Sequence, residues 1–275
     1  AMVNYSDATA NNTALNDITN GSGVFSGVAA LRTAAGADAV ALLMNGSDFG
    51  GSGIAWVPNP TSAGFMYSVT KGCVLGCESV FIHEVGHNMG NAHDRATAAW
   101  QAGGVAIPPP GIQSYSFGHF YCASGLLSCN PNVPSGSGGC ASQPECSTTN
   151  ASNFATIMSY FQGTAQTVYK FSNPNVSCAA AGGDGIPRPC GVASALPNSA
   201  DTAASMNGNR FVLSGLLGSV SGASLPGSLQ FTALSYSGSE AGGTLTFTVS
   251  RVGGSAGAVS VNYATSDGTA LAGLD

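Results

Sequence analysis

The chain has 275 residues, of which only 7% are Lys, Arg, Asp or Glu, and it carries a formal net charge of −6. So few positive charges, in no cluster, exclude the basic patch of a nucleic-acid binder, and no run of about twenty apolar residues is present to span a membrane. Eight cysteines without the repeated spacing of a zinc ribbon read as disulfides formed outside a reducing cytoplasm, which predicts a secreted, extracellular protein.

The opening residues, Ala1-Met2-Val3-Asn4-Tyr5, read as the tail of a strand already under way. Val28 to Ala35 reads as a helix and Ala39 to Met44 as a short, buried strand, which together make one α/β step. Gly46 to Gly53 is a loop. Gly53-Ile54-Ala55-Trp56-Val57 then suits either an ordinary half-buried strand or an exposed sheet edge. A helix is predicted from about Glu78 to Met89, with Phe81, Val85 and Met89 on an apolar stripe opposite its histidines. From Ala102 to Asn153 the chain is rich in Pro, Gly, Ser and Cys, including Pro108-Pro109-Pro110-Gly111, and reads as a long excursion pinned by disulfides. His119 falls there, outside any ligand spacing, as a surface or locally bonded histidine.

Further on, Asn198 or Ser199 is the expected cap of a last helix ending near Phe211, and Gly215 to Gly227 reads as a linker. Alternation over Thr244 to Ser250 and Ala258 to Ala264 suits two strands joined through Gly253-Gly254. The cysteine count leaves the pairing open, but proximity favours Cys178 with Cys190 and Cys140 with Cys146.

The chemistry is concentrated in one run, His83-Glu84-Val85-Gly86-His87-Asn88-Met89-Gly90-Asn91-Ala92-His93, which holds three of the four histidines. It spells H-E-x-x-H-x-x-G-x-x-H. On a helix, residues four apart share a face, so His83 and His87 can offer two imidazoles to one metal with Glu84 beside them. Gly90 can adopt the left-handed conformation that ends a helix and brings His93 in as the third ligand. Three neutral imidazoles leave a fourth position for water, the arrangement of a catalytic zinc.

On these residues the chain resembles the metzincins, and within them the reprolysin or adamalysin-like group, whose motif continues with an aspartate, here Asp94. The segment Ala155-Thr156-Ile157-Met158-Ser159-Tyr160 is similar to the methionine turn of that family. The resemblance implies an α/β catalytic domain with a mixed twisted sheet, an active-site zinc helix and Met158 beneath the metal. Glu84 is then the general base, with Gly90 and Asp94 supporting the turn. Tyr160, placed as in the astacin and serralysin version of the turn, is a weak fifth ligand, a hydrogen-bond donor to the transition state, or a packing residue. Gly53 to Val57 is similar to the edge strand over the reprolysin cleft, where Ile54, Ala55 and Trp56 would align a protein or peptide substrate.

From Ser228 onward the chain resembles the opening of a Calx-beta module, which implies an incomplete β-sandwich. Glu240, Asp267 and Asp275 fall at the places of its calcium ligands, or are simply solvated carboxylates. The expected organisation is a catalytic domain over residues 1–214 lacking its first strand and helix, a linker over 215–227, and a partial Calx-beta module over 228–275. An inhibitory propeptide is expected upstream. The predicted activity is that of a secreted zinc endopeptidase; the alternative is a non-proteolytic, metal-containing adhesion or matrix-binding protein.

Overall fold

A computed structural model describes residues 3–45, 53–58, 63–72, 78–105, 109–125, 145–148, 150–160, 166–215, 228–232, 236–238, 243–252 and 258–264. The chain forms two compact units, residues 1–219 and 220–275. Among the described residues no helix is long and apolar enough to cross a membrane.

The expected opening strand is absent among the described residues of the first unit. Residues 3–5 are irregular, and Tyr5 turns inward, its ring tilted 56° to that of Phe25 at 4.6 Å and its hydroxyl donating to Asp17. Helix α1 (Asn11–Asn20) buries Ala14, Leu15 and Ile18 and stops at Gly21, whose φ of 68° only glycine adopts without strain. The spacing of those three residues puts them on one face. That face meets Phe25, Leu42, Met44, Tyr67 and Val69 in the larger apolar core. Helix α2 (Val28–Ala35) follows and ends likewise at Gly36.

Three strands make the first sheet: β1 (Val40–Leu43), β2 (Gly53–Ala55) and β3 (Tyr67–Thr70), in the order β1-β3-β2. β1 runs parallel and β2 antiparallel to β3, so the sheet is mixed. β3 is buried throughout, as its central place requires. β1 is not the buried strand its apolar sequence suggests. It lies at an edge, and while Leu42 is covered, Leu43 is 56% exposed.

Helix α3 (Glu78–Asn88) lies against this sheet, fastened at its end by Asn88, whose amide donates to the carbonyls of Trp56 and Tyr67 at 3.0 Å each. Its burial is the reverse of an ordinary amphipathic helix. His83, Glu84, Gly86, His87 and Asn88 are covered, while Phe81 is 37% exposed and Val85 and Met89 are only partly covered. The expected apolar stripe therefore exists but does not face a core among the described residues. A helix that buries its polar residues and exposes its apolar ones has been shaped for a site rather than for packing.

Helix α4 (Arg95–Gln101) is capped by Asp94, which accepts the Thr97 N–H at 2.9 Å. A second small sheet contains β4 (Phe120–Tyr121), β5 (Phe154–Ala155) and β6 (Gln166–Thr167) in sequential order. β7 (Ser177–Cys178) and β8 (Arg188–Pro189) pair antiparallel, with Cys178 bonded to Cys190. Among the described residues a second bridge joins Cys122 to Cys146, so Cys146 does not pair with Cys140. Proximity along the chain misleads there because folding brings Cys122, beyond the end of β4, beside residue 146. Cys73, Cys77, Cys129 and Cys140 lie outside the described residues.

Helix α5 (Thr202–Leu213) closes the unit. Its cap is Asp201, which accepts the Ala204 N–H, rather than Asn198 or Ser199; Asn198 is held at φ 61° in the turn before it. In the second unit β9 (Ser228–Phe231) and β10 (Val249–Val252) form an antiparallel pair. The expected strands are corrected accordingly. Residues 258–264 carry no strand, and residues 249–252 pair with 228–231, where Phe231 meets Phe247 at 6.1 Å.

Asp201→Ala removes the oxygen that satisfies the first turn of α5. It is expected to lower unfolding free energy by about 1 kcal/mol, read as a lower denaturant midpoint at unchanged slope.

Candidate metal centre

His83 and His87 project from one face of α3, and the helix must end soon after them for a third ring to return. Gly90 ends it, at φ 89°, with its N–H bonded to the His87 carbonyl at 2.8 Å. A side chain there would strike Ile112. Asn91 fixes the reversal, its N–H and its side-chain amide both donating to the Gly86 carbonyl. The chain then delivers His93 to the other two histidines, and one ring nitrogen from each lies within 4.8 Å of the others.

Each ring is oriented through its Nδ1. His83 donates to the Ile157 carbonyl at 2.6 Å, His87 to the Asn91 carbonyl at 2.8 Å, and His93 to the Gln101 side-chain oxygen at 2.7 Å. Those acceptors keep the proton on Nδ1, so the Nε2 lone pairs turn inward. Nε2 of His93 stands 3.0 Å from that of His87 and 3.2 Å from that of His83. Ligand nitrogens about 2.0–2.1 Å from a tetrahedral zinc stand roughly 3.3 Å apart. The cluster therefore fits such an ion. Burial lowers the pKa of all three rings, His93 to about 3, with neighbouring imidazoles adding to the shift at His87 and His93. The rings are thus neutral donors at physiological pH.

Glu84 lies beside them, 2% exposed, and its Oε2 has no hydrogen-bond partner among the described residues. Burial raises its pKa to about 8. A buried carboxyl oxygen without a donor is costly, and is the kind of group that marks a functional site.

Tyr160 is 38% exposed, with its ring 4.3 Å from that of His93 and 5.2 Å from that of His83. Burial, and then the nearby Glu84, push its phenol up to about 12, so it remains a donor at neutral pH. Met158 is fully buried, its sulfur against Gly86 of α3. Asp94 is buried too, bonded to the Thr97 N–H and hydroxyl, and burial raises its pKa to about 6.

A cleft of about 510 Å³ opens over this cluster. Ile54 and Ala55 of β2 line it, with Pro109 and Pro110 also in its walls. Trp56 does not take part. Its N–H donates to Tyr67, its carbonyl accepts from Asn88, and its indole donates to Thr19 at 2.9 Å, so every polar group it has is committed inward. His119 stands apart from the cluster as a partly buried residue whose pKa burial lowers to about 4. Its N–H donates to the Thr156 hydroxyl and its carbonyl accepts from Thr156 and Ser159, which ties it locally to the segment carrying Met158. Glu240, Asp267 and Asp275, expected as calcium ligands, lie outside the described residues.

Sequence reasoning missed Gln101. Nothing in the motif marks it, since it reaches His93 only because α4 folds back from Asp94.

Residues 1–187 match the family described as metallo-peptidase family M12B, reprolysin-like, and residues 224–275 match the Calx-beta domain. No curated protein matches the chain. A solved structure described as a chaperone–substrate complex is 18% identical with a TM-score of 0.41, covering 78% of this chain and 29% of that one.

Two outcomes follow from this geometry. Gln101→Leu, which removes the acceptor from His93, is expected to weaken zinc affinity about tenfold by chelator competition. The second concerns the metal-free chain. A carboxyl whose pKa rises from 4.5 to about 8 on folding contributes stability below pH 4.5 that is lost as pH rises towards 8. The histidines, whose pKa values are lowered, oppose that slope until their unfolded imidazoles have lost their protons, at about pH 7.5. The melting temperature of the metal-free protein should therefore fall between about pH 7.5 and 8.5, and Glu84→Gln should flatten that fall.

Proposed function

The chain belongs to the reprolysin-like metallopeptidases, and from that membership and the convergent histidines we propose that it is a secreted zinc endopeptidase hydrolysing peptide bonds of extracellular proteins. The observation that carries the reading is the cluster of three inward Nε2 atoms beside a buried carboxylate oxygen with no partner. Secretion is supported by the disulfides Cys122–Cys146 and Cys178–Cys190.

His83, His87 and His93 would hold the ion, which when bound supplies the Lewis acidity that activates water and polarises a carbonyl near neutral pH. Glu84 accepts the proton of the attacking water and returns it to the leaving amine. A bound ion beside it would offset the burial that raises its pKa, which keeps the carboxyl ionised and able to take the proton. Tyr160, held protonated at the cleft, donates a hydrogen bond to the oxygen that gains charge. Met158 supports the floor of the site under Gly86, Gly90 sets the turn that returns His93, and Asp94 anchors the start of α4.

β2 aligns the substrate. Trp56 donates inward to β3, and residues of an antiparallel edge alternate, so Gly53 and Ala55 turn their N–H and C=O groups to the open side. An extended peptide can pair with those groups as an added strand, which holds it by its main chain and leaves sequence preference to the walls.

Cleavage of a fluorescent casein by the zinc-loaded chain tests this directly. Glu84→Ala should retain zinc and lose about 10²–10⁴-fold in turnover, and His87→Ala should lose the metal. Wild-type turnover from a zinc-replete Glu84→Ala variant would refute the role given to the carboxylate.

A further inference from the structure

β2 and α3 meet at one point where there is no side chain. A Cβ built on Gly53 would stand 2.5 Å from Oε1 of Glu84, 2.7 Å from its Cγ and 2.8 Å from its Cδ. Real Cβ atoms do not approach other atoms so closely. The backbone of β2 therefore rests directly on the carboxyl group. No left-handed φ is involved, since Gly53 lies in regular pairing with Thr70 and is absent from the residues with positive φ. The need for glycine here is one of space, not of backbone conformation.

The same residue turns its N–H and C=O to the open side of β2, where a bound peptide would pair. Glu84 itself is buried, and among the described residues one of its oxygens has no partner, so no hydrogen bond from them fixes that end of the group. Contact with Gly53 is then a main restraint on where the carboxyl sits. We propose that Gly53 is a positioning residue that holds the Glu84 carboxyl flush against the substrate-aligning strand, so that one contact sets the distance between proton acceptor and peptide backbone. The catalytic part of this inference rests on the endopeptidase reading above; the contact itself does not.

The experiment is a double-mutant cycle on the full chain, Gly53→Ala made with Glu84 present and in a Glu84→Ala background. With Glu84 present, Gly53→Ala should lower the melting temperature by about 5 °C. In the Glu84→Ala background the added methyl enters the space left by the carboxyl, and that loss should disappear. Zinc affinity by chelator competition should stay within about twofold, because no histidine is touched. On a fluorescent peptide, kcat should fall roughly 100-fold while KM changes little, since a displacement of about 1 Å at a reacting group has that effect.

Equal melting losses in both backgrounds, or failure of Gly53→Ala to fold in both, would place the clash elsewhere and overturn the proposal. So would an unchanged kcat. Folding only in the Glu84→Ala background would support it. If the parent chain cleaves nothing, the endopeptidase reading falls together with the catalytic part, and the melting cycle still decides whether Gly53 and Glu84 share the contact.

Discussion

Three imidazoles point at one place because each gives its other nitrogen to a fixed acceptor, and the three acceptors come from three parts of the fold. Ile157 precedes the buried Met158, Asn91 belongs to the turn that ends α3, and Gln101 closes α4. The convergence therefore depends on tertiary structure, although the histidines sit within eleven residues. Without those acceptors, nearby neutral rings would be free to choose either tautomer and to rotate. With them, the lone pairs are set before any ion arrives, which is the preorganisation a metal site needs.

What surrounds the cluster is an interior held largely by small polar groups. The Ser116 and Ser205 hydroxyls meet at 2.6 Å, Ser172 bonds Thr202 at 2.9 Å and also donates to Phe117 O, and Gln113 reaches Asn209 at 3.2 Å. These pairs join α5 to the segments on either side of the second small sheet. They explain how a chain rich in Gly, Ala, Ser, Asn and Thr can bury its helices: short side chains allow close approach, and their hydroxyls satisfy one another. The largest apolar cluster gathers beneath β3, while Phe117, Phe154 and Met158 are fully buried outside it.

The histidine run is readable from sequence because its geometry is local. Helical spacing, one glycine and a turn account for it, and each can be counted along the chain. α2 and β1 were legible for the same reason, as short periodic segments. α1 was not, since Ala14, Leu15 and Ile18 stand alone among Asn and Thr and no side chain caps the helix. The setting of Trp56 was not legible either, because its indole finds Thr19 across 37 positions of chain. Gln101, Asp201 as a cap, and the Cys122–Cys146 bridge all depend on where segments separated in sequence come to rest. Periodicity carries no information about such meetings.

Helix α4 is only seven residues long, and it is fixed at both ends by different obligations. Asp94 pins its start through Thr97, and Gln101 at its finish touches a metal-facing ring. Each residue added to or removed from a helix turns everything beyond it by about 100° and moves it about 1.5 Å. A single insertion or deletion between the two ends would therefore carry Gln101 away from His93 while leaving the histidine motif intact. Point substitutions such as those at Ala98 or Ala99 would not have that effect on phase. In this segment length is more constrained than composition, and a change invisible to any motif would be felt at the site.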